Sequence, residues 1–284
     1  MSQIQTAPRQ REFRFERADF DFIAGLVRQR TGIVLAANKQ DMVYGRLTRR
    51  LRALGMASFT DYCALVSSPA GQDELTAFTN ALTTNLTAFF RESHHYEHLR
   101  DEVLPRLAAQ GGRENRRLRI WSAGSSSGEE AYSAAMVLLS TLPEAERWDA
   151  RILGTDIDSS MVTHATAGLY DAERAARIPD ALRRRFIESV PGQPNKVRMA
   201  GALRRLVTFK RLNLLGRWPM GGPFDVIFCR NVAIYFDKPT QERLYTRLGD
   251  LLAPGGTLYI GHSEHLGAAA GRFVSHGRTT YSKA

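Results

Sequence analysis

Glu129 and Glu130 directly follow a loop made only of small residues, Ser122-Ala-Gly-Ser-Ser-Ser-Gly128. Before the loop, Leu118, Ile120 and Trp121 read as a buried strand. After it, Tyr132, Met136 and Leu139 fall at helical spacing. Strand, tight turn and helix form the opening βα unit of a nucleotide-type α/β fold, with the ligand over the helix N-terminus. A phosphate cradle wants bare N–H groups and usually a Lys-Ser/Thr pair after the last glycine. Two carboxylates suit the helix dipole but repel a pyrophosphate. The ligand selected here is nucleoside-like, free of phosphate and cationic, a description that S-adenosylmethionine meets. A helix start that merely favours acidic residues explains this stretch equally well, so other residues must decide.

They come from the ends of the later strands. Asp149 to Asp158 reads as a second strand ending in Asp156, where an acidic residue accepts hydrogen bonds from ribose hydroxyls; Asp158 suits a helix cap. Val207 to Leu212 leads into Asn213-Leu214, and the strong strand from Phe224 exits at Arg230-Asn231, with Tyr235 just beyond. Glu129, Asp156, Asn213, Arg230 and Asn231 therefore collect in order at the carboxyl ends of consecutive strands, the edge where open α/β sheets bind ligands. His94 and His98 have the spacing of a metal pair. They lack a third ligand and the intervening Glu of a zinc protease, so no metal is expected.

Several elements must position these groups. Residues 1 to about 14 read as loose and polar. Residues 15–82 are helical throughout, with Asp19 a candidate cap and a basic helix over 39–54 whose apolar stripe is Val43, Leu47, Leu51 and Leu54. Lys39, Arg46, Arg49 and Arg50 flank that stripe; they suit a solvated face or a docking surface for an acidic partner. Residues 83–95 form a linker rich in aromatic and hydrogen-bonding groups, including Asn85, Thr87 and Arg91. Residues 96–284 form the α/β domain. A basic helix is expected over Ala172 to Val190, and a small antiparallel β insertion over about 180–206. The strand Thr257 to Gly261 and a hairpin from Phe273-Val274 and Thr279 to Ser282 close the sheet.

Composition narrows the classes further. No apolar run is long enough to span a bilayer. There is no signal-peptide pattern, and two distant cysteines argue for a reducing, cytoplasmic setting. The 39 basic against 29 acidic residues leave a formal net charge of +10, which points to an acidic partner. Neither stacking aromatics nor a recognised module accompanies the arginines, so an acidic protein is preferred over nucleic acid.

Five motifs then coincide: Thr83-Thr-Asn-Leu-Thr-Ala-Phe-Phe-Arg91, Ser127-Gly-Glu-Glu-Ala-Tyr-Ser133, Thr155-Asp-Ile-Asp158, Phe228-Cys-Arg-Asn-Val-Ala-Ile-Tyr-Phe-Asp237 and Gly261-His-Ser-Glu264. Together with Gly32-Ile-Val-Leu and Asp41-Met-Val-Tyr-Gly-Arg-Leu, the chain resembles the bacterial chemotaxis receptor methyltransferases (CheR) over nearly its whole length. The resemblance implies a Rossmann-like S-adenosylmethionine-dependent methyltransferase sheet, a small all-helical N-terminal domain and a small antiparallel insertion. It implies a protein-glutamate O-methyltransferase that esterifies glutamates on the cytoplasmic helices of chemoreceptors and sets adaptation, working as a monomer without entering the membrane. In some family members the insertion binds a C-terminal tail peptide of the receptor. Carried over by motif, the cofactor contacts are Asn85, Thr87, Arg91, Glu129, Asp156, Asn213, Leu214, Arg230 and Asn231, with Tyr235 near the transferred methyl group. Ala131 departs from the Pro usual after Glu-Glu, and His265 from a more common Asn or Ser.

A substrate glutamate is already ionised near neutral pH, its reference pKa being about 4.3. In-line methyl transfer to it needs no general base, and positioning carries the catalysis. Arg91 and Tyr235 are the candidates for orienting the carboxylate, and Arg46, Arg49 and Arg50 for steering the acidic receptor. Two rivals share the cofactor fold: a nucleic acid methyltransferase, and a non-enzymatic sensor that only binds cofactor or peptide.

Overall fold

A computed structural model describes residues 11–110 and 116–284, so most of the expected loose N-terminus lies outside the described residues. The chain divides into two compact units, one ending at Thr83 and one beginning at Thr84. No described helix is long and apolar enough to cross a membrane.

The first unit is a bundle of α1 (Arg17–Thr31), α2 (Gln40–Leu54), α3 (Phe59–Ser67) and α4 (Gln72–Leu82). Its core joins Phe20, Ile23 and Val27 of α1, Val43, Leu47 and Leu51 of α2, Phe59 and Tyr62 of α3, and Leu75 and Phe78 of α4. Helical spacing puts each set on one face. Asp19 does not cap α1 as expected. Glu16 is the N-cap, and Asp19 at the third helical position accepts from the Glu16 backbone in a capping box. Left-handed glycines, Gly32 and Gly55, end α1 and α2.

The basic face of α2 is less free than its sequence suggests. Arg50 makes a bidentate pair with Glu74 of α4, Nε to Oε1 at 2.8 Å and Nη2 to Oε2 at 2.6 Å, and the Tyr62 hydroxyl donates to the same Oε1 at 2.8 Å. Arg46 Nη1 donates to the carbonyl of Thr83 at 2.6 Å, at the C-terminal end of α4, where the helix dipole favours a cation. Arg49 is exposed. Two of the three expected docking arginines thus hold α2 against α4, because the side chains that flank an apolar stripe also reach the neighbouring helix.

Glu74 gives this arrangement a pH signature. Burial raises its pKa, but the hydrogen bonds of Arg50 and Tyr62 and the Arg50 charge outweigh that and leave it lowered. A lowered carboxylate stabilises the fold above its unfolded pKa of about 4.3, and the contribution is lost as pH falls through the folded value. Glu74→Gln should cost about 2 kcal/mol at neutral pH, the scale of hydrogen bonds to a charged group. Denaturation profiles of the two proteins should converge in acid; an unchanged gap there would remove the pair from the stability of this unit.

The second unit is organised on a seven-stranded sheet. In chain order its elements are α5 (His94–His98), a π-helical turn, α6 (Leu104–Gln110), β1 (Arg117–Ala123), α7 (Glu129–Thr141), β2 (Asp149–Asp156), α8 (Ser159–Ala167), β3 (Leu169–Asp171), α9 (Ala172–Ala175), α10 (Asp180–Phe186), β4 (Ile187–Ser189), β5 (Lys196–Met199), α11 (Gly201–Leu206), β6 (Val207–Arg211), β7 (Phe224–Cys229), α12 (Lys238–Leu251), β8 (Leu252–Ile260), β9 (Phe273–Ser275) and β10 (Thr280–Lys283). The sheet order is β6-β2-β1-β7-β8-β10-β9. The first five strands are parallel, and β9 and β10 form the expected antiparallel closing hairpin. Strand order reverses between β1 and β7, the switch point where such sheets open a crevice at their carboxyl edge. Apolar layers cover both faces, one joining α7 to β1, β2 and β7, the other joining α12 to β1, β7 and β8.

The antiparallel insertion is a separate three-stranded sheet, ordered β3-β5-β4. It starts at Leu169, earlier than the span of 180–206 suggests. The expected helix from Ala172 to Val190 is broken. It splits into α9 and α10 and ends as β4, because Pro179 interrupts it and the strand pairing of Ile187 to Ser189 with β5 overrides helical propensity.

Candidate cofactor site at the sheet edge

The loop from Gly124 to Gly128 spends its backbone donors on the protein itself. Gly124 N and Ser125 N donate to the Thr155 carbonyl, each at 2.8 Å, Ser126 N to Asp156 Oδ2 at 2.7 Å, and Gly128 N to Ser125 O at 2.9 Å. Gly124 and Gly128 have φ of 80° and 97°, in the left-handed region. A Cβ on Gly128 would lie 2.8 Å from Ala165 Cβ and 2.9 Å from the Tyr170 hydroxyl, so the loop is closed against α8 and β3. The Tyr170 hydroxyl donates to Ser127 O at 2.6 Å. Four N–H groups engaged in this way are not a phosphate cradle.

Carboxylates dominate the edge instead. Asp156 is 8% exposed and accepts backbone N–H from Ser126 and, at 2.9 Å, from Asp158. Burial, more than the backbone donors can offset, pushes its pKa up to about 6. Glu129 is fully buried, with Ser127 Oγ donating to its Oε2 at 2.6 Å and the Arg174 guanidinium paired with Oε1. A cation thus sits on Glu129, the residue to which the sequence assigns a cationic ligand group. Asn213 Oδ1 caps the turn at Leu215 N, at 2.9 Å, and Leu214 is 7% exposed. These acidic groups, with no loop N–H among those four left over, fit a phosphate-free nucleoside carrying positive charge.

The segment from Asn85 to Glu92 is tied to that loop. Ser126 Oγ donates to Asn85 O at 3.0 Å, and Asn85 Nδ2 donates to Asp158 Oδ2 at 2.7 Å. Asp158 also caps α8 through Ser160 N and Met161 N, as expected. Asn85 therefore secures the segment. Thr87 is half-buried, its carbonyl 3.5 Å from Arg174 Nη2. Phe90 N donates to Ser133 Oγ at 3.1 Å, and Phe89 is buried edge-on to Tyr170. Phe90 and Glu92 have φ of 53° and 56°, so Arg91 is presented between two left-handed non-glycine residues, a conformation kept only where surroundings enforce it. The Arg91 side chain is 32% exposed, with Nη1 on the Leu86 carbonyl at 2.9 Å.

What enforces that conformation is Arg230. Its side chain is 2% exposed, with Nη1 on Glu130 Oε2 at 3.2 Å, Nη2 on the Arg91 carbonyl, and Nη2 3.4 Å from Glu92 Oε2. Ser122 Oγ in turn donates to Glu130 Oε1 at 2.7 Å. The guanidinium placed by sequence among the cofactor contacts is committed to these internal partners. It links β1, α7 and the Arg91 segment. In the sequence Glu130 has only a share in the charge of the acidic doublet, because which carboxylate turns inward to Arg230 depends on the phase of α7.

The remaining expected groups divide. Asn231, with φ of 58°, and half-buried Tyr235 lie on the loop leaving β7. His94 and His98 have separate partners, the Arg278 carbonyl at 3.1 Å and the Tyr259 hydroxyl at 2.9 Å. Ligand atoms of Glu92, His94 and His95 come within 4.8 Å of one another, but Glu92 already faces the Arg230 guanidinium. A dication there would meet a buried positive charge, and no metal is assigned. Of the two departures from the family pattern, Ala131 is buried in α7 and His265 is exposed.

Comparison with known proteins accords with this geometry. Residues 18–83 match the family described as "CheR methyltransferase, all-alpha domain" and residues 85–282 that described as "CheR methyltransferase, SAM binding domain". A "Probable chemotaxis protein methyltransferase" of Rhizobium etli is 47% identical over 252 residues, covering 88% of this chain and 94% of that protein. The "Chemotaxis protein methyltransferase" of Escherichia coli is 44% identical over 268 residues, 93% of this chain and 90% of that protein. A carboxylate-lined, phosphate-excluding edge, a helical first unit and these matches lead to one conclusion: the chain belongs to the CheR methyltransferase family and its second unit is an S-adenosylmethionine-binding domain.

Proposed function

We propose that this protein transfers a methyl group from S-adenosylmethionine to glutamate side chains of chemoreceptors, as a protein-glutamate O-methyltransferase of chemotaxis. The observation that carries the acceptor assignment is the presentation of Arg91, about one-third exposed between two left-handed residues, on a segment tied to the Gly124–Gly128 loop. When bound, the cofactor supplies an electrophilic methyl group on a sulfonium. Asp156 would receive its ribose and Glu129 its amino group, in the place Arg174 now takes on Glu129. The segment of Asn85, Thr87 and Arg91 and the strand ends at Asn213-Leu214 and Arg230-Asn231 complete the enclosure. For Arg230 the buried guanidinium leaves that part to its backbone. The substrate carboxylate arrives ionised, so Arg91 and Tyr235 orient it and remove no proton. Arg91 must not hold it so firmly that ground and transition states gain alike.

Receptor docking draws on the positive charge of the chain. On the helical unit Arg49 carries it directly, since Arg46 and Arg50 are engaged within that unit. The three-stranded sheet has β3 and β4 at its edges, either of which offers a strand-pairing site to a receptor tail peptide.

The test is a methyl-transfer assay with radiolabelled cofactor on receptor membranes, RNA and DNA. A base-labile label on receptor protein is expected. Stable label on nucleic acid would replace this reading with the nucleic acid rival. Arg91→Ala and Tyr235→Phe should each lower turnover at least tenfold, about 1.4 kcal/mol of transition-state stabilisation. Full turnover in both would remove them from the acceptor site.

A further inference from the structure

Glu264 takes part in none of the roles assigned so far, yet it is 3% exposed. Its carboxylate is surrounded by backbone. Oε2 accepts from Asn231 N at 2.9 Å and Gly261 N at 2.6 Å; Oε1 accepts from Val232 N at 2.9 Å and Ile234 N at 3.2 Å. Among the described residues no cation pairs with it. Asn231 is left-handed and Val232, at φ −114° and ψ −48°, is right-handed, so their successive N–H groups form a concave anion-binding nest. The nest holds an internal carboxylate in place of an external anion. Close approach is built in: a Cβ on Gly261 would lie 2.5 Å from Asn231 Nδ2 and 2.8 Å from Glu264 Oε2.

We propose that Glu264 is a positioning residue for methyl transfer. It clamps the loop that leaves β7 onto the end of β8 and so sets where the 3-10 turn Ala233–Tyr235 holds Tyr235. The inference rests on the assignment of Tyr235 to the acceptor side of the site. The chemistry singles out a carboxylate. Only an acidic side chain offers enough lone pairs to receive four N–H groups, whereas an amide offers one oxygen and turns its NH2 onto the other two donors. Left without an acceptor, those donors would carry the cost of buried, unpaired N–H groups, and the loop would relax away from β8. The left-handed Asn231 would lose its restraint in the same step, because its N–H is one of the four.

Three readouts on the full chain test this. Glu264→Gln and Glu264→Asp, the second keeping the charge on a shorter arm, should each lower kcat for receptor methylation tenfold or more. S-adenosylhomocysteine affinity should fall by much less than kcat, through the loosened Asn231 alone, and thermal denaturation should show both variants folded at the assay temperature. In a double-mutant cycle, Tyr235→Phe should cost much less in the Glu264→Gln background than in the wild type, since both act through the placement of one hydroxyl. Additive losses, unchanged kcat, or loss of cofactor affinity in proportion to kcat would overturn the positioning role. If Glu264→Gln does not fold, Glu264→Asp takes its place in the cycle, and additivity there has the same force. A wild-type protein that forms no base-labile ester fails the functional assignment itself, an outcome visible before any variant is made.

Discussion

Arg230→Met should destabilise the second unit by about 3–5 kcal/mol, the scale of removing one partner from a buried ion pair. Methionine fills the volume, so the loss would be electrostatic. Glu130 would be left buried with only Ser122 on its carboxylate. Burial already holds its pKa above the ordinary value, with the Arg230 charge opposing. Without Arg230 it would rise further, and the group would become neutral to escape part of the penalty. The sign follows. An acid whose folded pKa is raised stabilises the fold below its unfolded value and loses that contribution as pH rises through the folded one. The gap between variant and wild type should therefore narrow in acid, as read by denaturant titration. Methylation should be lost beyond what the folded fraction explains, because the Arg91 carbonyl would no longer be pinned. A stability within 1 kcal/mol of wild type across that range would contradict the hub assignment.

Asp156→Ala should weaken S-adenosylhomocysteine binding about 100-fold, the scale of one or two hydrogen bonds from ribose hydroxyls to a charged acceptor. Wild-type affinity should also fall as pH drops through about 6, where Asp156 takes a proton, and the variant should be flat there. The stability effect runs the other way. With its folded pKa raised, ionised Asp156 costs the neutral-pH fold on the order of 3 kcal/mol. That cost is absent below the unfolded pKa of about 3.9 and complete once pH exceeds about 6. A residue kept for folding would not be held this way, so Asp156→Asn, which retains one backbone acceptor, should melt no lower than wild type near neutral pH. Calorimetry with unchanged affinity in Asp156→Ala would rule out the ribose role.

The elements that frame the candidate site were legible because they depend on local pattern. The strand of Leu118 to Trp121, the small-residue loop and the helical phase after Glu129 lie within one short stretch. The acidic residues at strand ends follow from a sheet whose carboxyl edge is always the binding edge. The hairpin at Phe273 and Thr280 and the Asp158 cap were visible in the same way. The helix expected over Ala172 to Val190 failed for a related reason. Its charges and leucines suited a helix, but β4 forms only by pairing with β5, and pairing is not a local property.

The sequence by itself determined the fold class and the kind of cofactor. These rest on periodicity, turn chemistry and the charge that follows a glycine loop. Only the tertiary structure decided which charged groups are free to act. Arg50 meets Glu74 across 24 residues, Arg230 meets Glu130 across 100, and Glu264 reaches Asn231 across 33. Spacing along a chain fixes which face a side chain occupies. It does not fix which opposing charge the packed neighbour brings to that face, and a buried charge must find such a partner or lose its ionisation.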